Sequence, residues 1–146
     1  MRQNSITIYG RPLVYGACEG YTLVSDEPIS FYGGVDPSTG RIVEKGHPLK
    51  GQKISGKILI FPYGKGSTVG SYILLRLKRK GLAPSGIINL ESEPIIIVGC
   101  IISQIPLMDR PGIELKDIPN NRLIKMVVSR DKAFITWKDG WRWKRK

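Results

Sequence analysis

The stretch that decides the fold covers residues 56–90 and reads GKILIFPYGKGSTVGSYILLRLKRKGLAPSGIINL. Its first six residues, Gly56 to Phe61, are typical of a buried strand because apolar side chains follow one another with little polar interruption. A glycine-rich loop and a helical pattern come next, and Gly86 to Leu90 predicts another strand. A strand–loop–helix–strand unit implies two parallel strands joined by a right-handed crossover.

The helix in this unit is predicted to begin at Ser67 or Thr68, which would cap it, and to run to about Lys80. Apolar residues recur every four positions on one of its faces: Val69, Ile73 and Leu77. Basic residues crowd the last turn, where cations suit the helix dipole, and Gly81 supplies the C-terminal stop. The helix therefore has one face for a core and a positively charged end.

The remaining segments predict shorter elements around this unit. An early strand pair and one further strand are expected at Ile6–Ile8, Leu13–Val14 and Tyr21–Val24. Residues 94–104 are ambiguous, since Ile and Val favour a strand whereas Pro94 suits the first turn of a helix, and we predict a helix. A short strand at Ile105–Met108 should follow, and then a hairpin of two strands, Leu123–Val128 and Ala133–Trp137.

Together these elements predict the α/β class, with a β core and helices packed on it. The length of 146 residues fits one main domain. We place that domain at residues 1–110. Residues 111–146 are treated as a C-terminal extension, in which a strand hairpin and a basic, tryptophan-rich tail pack on the same domain.

The charge of the chain is strongly positive and unevenly distributed. The formal net charge is +11, from 23 Lys+Arg against 12 Asp+Glu, and more than half of the excess lies beyond residue 110. There, basic residues interleave with Trp137, Trp141 and Trp143, a pattern that suits base stacking and phosphate neutralisation. A nucleic-acid-binding or non-catalytic interaction module is therefore the alternative function. We rank it second and expect no nucleic-acid partner, because the sequence carries no recognised nucleic-acid motif.

Metal chemistry within this chain is limited by its ligand supply. The sequence has two cysteines, Cys18 and Cys100, and one histidine, His47, at spacings that match no metal motif. A [4Fe–4S] cluster usually takes three or four thiolates. We therefore expect no metal site and no cofactor in this chain. The N-terminus shows no signal-peptide core and residues 94–105 form the longest apolar run, too short for a membrane span, so we expect a cytoplasmic protein.

The glycine loop is the main candidate site. Gly64, Lys65, Gly66, Ser67 and Thr68 lie between a predicted buried strand and a helix start. Glycines there let the backbone approach a ligand, and the first amides of a helix point outward without internal partners. Lys65 adds a full positive charge. The loop thus suits a phosphate or carboxylate, although its spacing fits neither a Walker A motif nor a hydrolase nucleophile elbow.

Ser67 carries two competing interpretations. A serine at a helix N-terminus beside a cation has its alkoxide form stabilised, so that it can act as a base. The alternative is a plain N-cap serine, which contributes about 1 kcal/mol to the helix. Spacing alone favours the cap.

Several motifs in order resemble a known family. The run Gly64–Thr68 resembles the Gly-x-Gly-Ser-Ser loop of the aconitase swivel domain, whose first serine is the catalytic base. Upstream, Phe31–Pro37 (FYGGVDP) and His47–Gly51 (HPLKG) resemble the small subunit of the aconitase X family, in particular its archaeal two-chain type. The resemblance covers roughly residues 10–110. It implies a swivelling β/β/α domain, as in aconitase.

The resemblance also implies an activity and a partner. Aconitase X enzymes are hydro-lyases, and the archaeal two-chain type implies dehydration of mevalonate 5-phosphate to trans-anhydromevalonate 5-phosphate in isoprenoid biosynthesis. A related member dehydrates cis-3-hydroxyproline, so the substrate stays open. A large aconitase X-type subunit is expected to carry a [4Fe–4S] cluster, whose iron binds the leaving hydroxyl, and to form a heterodimer with this chain. Ser67 would take the proton alpha to the carboxylate, while Gly64, Lys65, Gly66 and Thr68 bind the anionic substrate.

Two further groups are secondary candidates. Gly33, Gly34 and Asp36 are expected either to form a loop that faces the site or the partner, or to form a turn in which Asp36 caps its own backbone. His47, before Pro48, is more typical of a structural turn residue, with contact to the large subunit as the alternative.

Overall fold

The computed structural model describes residues 4–139. Its strands are β1 Asn4–Val14, β2 Gly16–Val24, β3 Ile29–Ser30, β4 Ile58–Phe61, β5 Gly64–Lys65, β6 Gly86–Asn89, β7 Leu107–Asp109, β8 Leu123–Val128 and β9 Ala133–Asp139. The α-helices are α1 Phe31–Gly34, which is a single irregular turn, α2 Gly70–Arg79 and α3 Pro94–Ser103, and Leu115–Asp117 form a short 3-10 helix.

Within the described residues, seven strands close a barrel in the order β1-β7-β6-β4-β2-β8-β9. The strands β2, β4, β6 and β7 run parallel to one another, whereas β1, β8 and β9 pair antiparallel with their neighbours. Outside the barrel, β3 and β5 form a two-stranded parallel sheet, in which Ser30 lies opposite Lys65. The parallel pairing of β4 and β6 across α2 confirms the predicted crossover.

Two hydrophobic clusters lie on opposite sides of the parallel strands. In β4, Ile58 and Ile60 belong to the cluster that fills the barrel, whereas Leu59 and Phe61 belong to the cluster beneath α2 and α3. The same alternation in β6 explains why these strands have continuous apolar sequences. The architecture is therefore a barrel with a helical layer on one side.

The N-terminal strand differs from prediction. The expected strand pair in residues 6–14 is wrong, because residues 4–14 form one strand that changes partners along its length. Asn4 to Gly10 pair with β9, and from Arg11 the strand pairs with β7. The change follows Gly10, where a Cβ atom would approach the Met108 side chain to 2.5 Å. The missing side chain lets the strand cross there.

Both predicted helices are present, but one of them begins later than predicted. Residues 94–103 do form a helix, with Pro94 in its first turn and Glu93 accepting a hydrogen bond from the Ile95 amide (2.7 Å). The helix α2 begins at Gly70 rather than at Ser67 or Thr68, so the predicted N-cap role of Ser67 is wrong. Val69 occupies the N-cap position, and Ser67 and Thr68 lie in the turn before it.

The hairpin predicted near the C-terminus is present and completes the barrel. Strand β8 pairs with β2, β9 pairs with β1, and Trp137 lies buried in the barrel cluster. Residues 111–139 thus share the barrel of residues 4–110. The predicted tail with Trp141 and Trp143 lies outside the described residues. No helix in the described part of the chain is long and apolar enough to cross a membrane.

Candidate active site

The glycine loop lies at the carboxyl end of β4. In α/β folds this edge is where ligands bind, because the loops that follow parallel strands gather there. Pairing of β5 with β3 anchors the first half of the loop, and Ser67 carbonyl accepts the Gly70 amide at 2.9 Å in the turn that leads into α2. The loop therefore has two fixed ends and an exposed middle.

The Ser67 side chain is exposed in that middle segment. Its Oγ accepts a hydrogen bond from the Val69 amide at 3.1 Å. In the part of the chain that the structure describes, no histidine or carboxylate accepts the Ser67 hydroxyl proton. The amide donor and the nearby helix N-terminus can stabilise an alkoxide there, since donors to the charged form favour it.

Three consecutive amides next to this hydroxyl are available to a ligand. The amides of Gly66, Ser67 and Thr68 have no acceptor among residues 4–139. Gly66 adopts φ +89°, a left-handed conformation that favours glycine. Successive amides in such a turn, followed by a helix N-terminus, form a concave site for an anion.

Gly64 contributes through its size rather than through an available amide. Its amide donates to Glu93 Oε1 at 2.9 Å. A Cβ atom at Gly64 would lie 2.6 Å from the same oxygen and 2.6 Å from Ile96 Cγ1. Gly66 is confined in a similar way, because its Cβ would collide with the Ser30 hydroxyl. Both glycines are therefore required by close packing around the loop.

Lys65 is paired within the chain. Its Nζ lies 2.8 Å from Glu44 Oε2, and the hydrogen bond and the charge of Glu44 raise the pKa of the Lys65 ammonium. The Lys65 side chain remains 43% exposed, so the ammonium can also reach an anion. Glu44 was not predicted from the sequence, because it lies 21 residues from Lys65 and in no recognisable motif.

The loop predicted at Gly33 and Gly34 comes to the same place. A cleft of about 360 Å³ is lined by Ser30, Gly33, Gly34, Glu44, Lys65 and Gly66. Asp36 does not line it. Its Oδ1 accepts the Ser38 amide at 2.8 Å, which is the turn-capping arrangement.

His47 has a structural role. Its Nδ1 accepts a hydrogen bond from the Leu49 amide (3.0 Å), and its Nε2 lies 3.1 Å from the Pro28 carbonyl oxygen. The ring is buried and both nitrogens are engaged. The structure therefore does not bring His47 to the glycine loop.

A buried polar cluster at the ends of β6 and β7 supports the segment before α3. Asp109 accepts hydrogen bonds from Arg11 Nε and Nη2 and from the Ser92 amide, all at 2.8 Å. The Ser92 hydroxyl donates to Asn89 Oδ1 (2.8 Å). Since Ser92 precedes Glu93, this cluster also fixes the carboxylate that holds Gly64. None of these contacts was predicted from the sequence, although Glu93 directly before Pro94 was a recognisable helix start.

The cysteines do not form a metal site. Cys18 belongs with the barrel cluster and Cys100 is buried in the cluster beneath the helices. Burial raises the pKa of Cys18 to about 11 and raises the pKa of Cys100 further. Within residues 4–139 no group of three or more His, Cys, Asp or Glu residues could hold a metal ion. An iron–sulfur cluster does not fit the donor set of this chain.

A barrel of parallel and antiparallel strands, with helices on one side and a serine-bearing glycine loop at the strand ends, defines a class: the swivelling β/β/α domain. A family model described as aconitase X swivel domain matches residues 7–136. The chain belongs to this family.

Curated relatives and a solved structure agree with this assignment. The chain is 58% identical over 104 residues to the phosphomevalonate dehydratase small subunit of Methanosarcina acetivorans, covering 71% of this chain and 72% of the relative. It is 48% identical over 125 residues to the protein of the same name from Methanothrix thermoacetophila, and the match covers 86% of this chain and 90% of that relative. The holo-form crystal structure of Thermococcus kodakaraensis aconitase X has a TM-score of 0.82 at 42% identity, covering 89% and 98%. The predicted swivel fold and the predicted dehydratase (hydro-lyase) subunit class are confirmed.

Proposed function

We propose that this chain is the small subunit of a two-chain hydro-lyase that dehydrates mevalonate 5-phosphate to trans-anhydromevalonate 5-phosphate, with Ser67 as the general base. The names of the curated relatives support this substrate. The observation that carries the role of Ser67 is its exposed hydroxyl beside three amides that have no acceptor among the described residues.

The reaction is an elimination with a simple balance. The Ser67 alkoxide takes the proton alpha to the carboxylate, the electrons of that C–H bond form the new double bond, and the C–O bond of the β-hydroxyl breaks. The Val69 amide at 3.1 Å and the N-terminus of α2 stabilise the alkoxide. The departing hydroxide needs a second group, and among residues 4–139 no cluster of His, Cys, Asp or Glu residues could hold a metal ion for that purpose.

The anionic ends of the substrate need donors. We propose that the amides of Gly66, Ser67 and Thr68, assisted by the Lys65 ammonium, bind one of the two anionic groups of the substrate. Gly64 lies outside the ligand-binding donors, because its amide already donates to Glu93. Its contribution is to let the loop pass close to α3.

A larger partner subunit completes the enzyme. The relatives are named small subunits, and this supports a heterodimer with a large aconitase X-type subunit. We assign the expected [4Fe–4S] cluster to that partner, because the two cysteines here lie in separate core clusters. Trp137 is buried and cannot stack on a base, so the nucleic-acid alternative has one fewer of its three proposed stacking residues.

The test is reconstitution of the complex under anaerobic conditions, with mevalonate 5-phosphate as substrate. Ser67→Ala should lower kcat by about 10²–10⁴-fold, the range for loss of a general base. Assembly with the large subunit should stay unchanged and the melting temperature should fall only slightly, because Ser67 is exposed and its side chain accepts a single exposed hydrogen bond, from the Val69 amide.

Two results would contradict the proposal in different ways. Near-normal turnover by Ser67→Ala would remove Ser67 as the base. Activity of the wild-type complex on cis-3-hydroxyproline, with none on mevalonate 5-phosphate, would keep the reaction class and replace the substrate. Ser38→Ala is a suitable control, because Ser38 is exposed in a turn outside the cleft.

A further inference from the structure

We propose that Glu44 is a positioning residue, whose carboxylate holds Lys65 and thereby fixes the glycine loop that presents Ser67. The inference deepens the proposed function and rests on it. It assigns to Glu44 a role in catalysis through Lys65 rather than through contact with substrate.

The backbone around Glu44 is tied to the opposite wall of the cleft. The amides of Val43 and Glu44 both donate to the Gly34 carbonyl oxygen, at 2.8 and 3.3 Å. From this anchor the side chain reaches Lys65, where Oε2 and Nζ are 2.8 Å apart. The ion pair therefore joins the segment around Glu44 to the glycine loop, in addition to the pairing of β3 with β5.

Stability does not account for this arrangement. The pair is partly exposed, with 43% of the Lys65 side chain and 26% of the Glu44 side chain accessible, and such pairs contribute little to folding. The other carboxylate oxygen, Glu44 Oε1, is buried and accepts no hydrogen bond from the described residues, which costs free energy. A buried oxygen without a donor calls for an explanation, and its place beside the candidate active site favours a role there.

The pair also determines what Lys65 can do. An ammonium has three N–H donors, and one is occupied by Glu44, so two remain for an anion. The carboxylate offsets much of the positive charge, and Lys65 therefore acts by the placement of its donors more than by long-range attraction. Loss of Glu44 should affect kcat more than KM, since placement matters most in the transition state.

Glu93 provides an internal contrast. It also contacts the loop, through the Gly64 amide, but both of its oxygens are satisfied and one caps α3. Glu93→Ala removes two hydrogen bonds to backbone amides, so its main effect should be to lower the melting temperature. Glu44→Gln should instead lower kcat and leave the melting temperature nearly unchanged.

The test uses the anaerobic complex with the large subunit and compares Glu44→Gln, Glu44→Asp, Lys65→Met and the double variant Glu44→Gln/Lys65→Met. We expect Glu44→Gln to lower kcat by about 10- to 100-fold with KM changed less than about twofold, because misplaced groups cost that much. Glu44→Asp keeps the charge and should recover part of the rate. In the Lys65→Met background Glu44→Gln should have almost no further effect, because the two residues act as one unit.

A second measurement uses the full chain by itself and does not depend on activity. NMR backbone order parameters of Gly66, Ser67 and Thr68 should fall in Glu44→Gln relative to wild type. Unchanged order parameters, a wild-type kcat in Glu44→Gln, or additive losses in the double variant would each overturn the proposal. If the wild-type complex itself is inactive, the proposed function fails, whereas the order parameters still decide the role of Glu44.

Discussion

The two halves of the barrel use their strands differently. In the parallel half, every residue of β4, β6 and β7 is buried, because one face lines the barrel and the other lies under the helices. In the antiparallel half, exposed or half-exposed residues alternate with buried ones along β8, so only one face is covered. The candidate site lies on the parallel half, where the loops at the strand ends are supported by an extra layer of packing.

The largest effect on folding is expected from Asp109, at the buried end of the parallel half. Asp109→Ala leaves the buried Ser92 amide without its acceptor and removes both hydrogen bonds from the Arg11 guanidinium, so it should lower the free energy of unfolding by about 3–5 kcal/mol. Urea denaturation measures this loss. Asp109→Asn keeps the shape and one acceptor oxygen and should lose less. An equal loss in both variants would show that charge pairing with Arg11, rather than hydrogen bonding in general, dominates.

Alanine substitutions along one strand of each half test the comparison directly. In β4 both Leu59→Ala and Ile60→Ala should lower the free energy of unfolding by about 2–5 kcal/mol, because both side chains are fully buried. In β8, Met126→Ala should cost a similar amount, whereas Lys125→Ala should stay within about 0.5 kcal/mol. Losses of similar size at Leu59 and Lys125, by the same denaturation assay, would contradict the comparison.

The last prediction concerns the reactivity of the two thiols, Cys18 and Cys100, and involves no change in stability. The pKa of Cys18 is raised to about 11 by burial, so its thiolate is scarce at neutral pH and becomes more abundant as the pH rises. Its rate of reaction with a disulfide reagent should therefore rise about tenfold for each pH unit from 8 to 10. Cys100, beneath the helices, should react more slowly throughout. Faster reaction of Cys100, located by peptide mapping, would contradict this order.

Local patterns predicted the parallel half well. The apolar run of β4, the helical period of α2 and the strand β6 lie within one stretch, and their contacts are short in sequence. For residues 94–104, where strand and helix were both open, Pro94 correctly favoured the helix. The motifs at Gly64–Thr68 and Phe31–Pro37 carried the family, because their order along the chain is more specific than either motif alone.

Long-range contacts explain what the sequence did not predict. The strand β1 was divided in two, because its change of partner depends on pairing with β7 and β9 near the other end of the chain. The start of α2 was placed too early, since Ser67 and Thr68 are equally good turn residues. Glu44 was missed because tertiary contacts, among them the pairing of β3 with β5, bring Lys65 near it.

The pairing of the first barrel strand with the last has a consequence for folding. Thr7 Oγ1 donates to Thr136 Oγ1 across 129 positions of sequence, next to the ladder that joins β1 to β9. Contacts of such high sequence separation form slowly, because the entropy of closing a long loop must be overcome before they stabilise anything. Until β9 is in place, β1 has an open edge that can pair with another chain. Slow closure of the barrel is therefore expected to prolong the exposure of the β1 edge and to favour aggregation during folding.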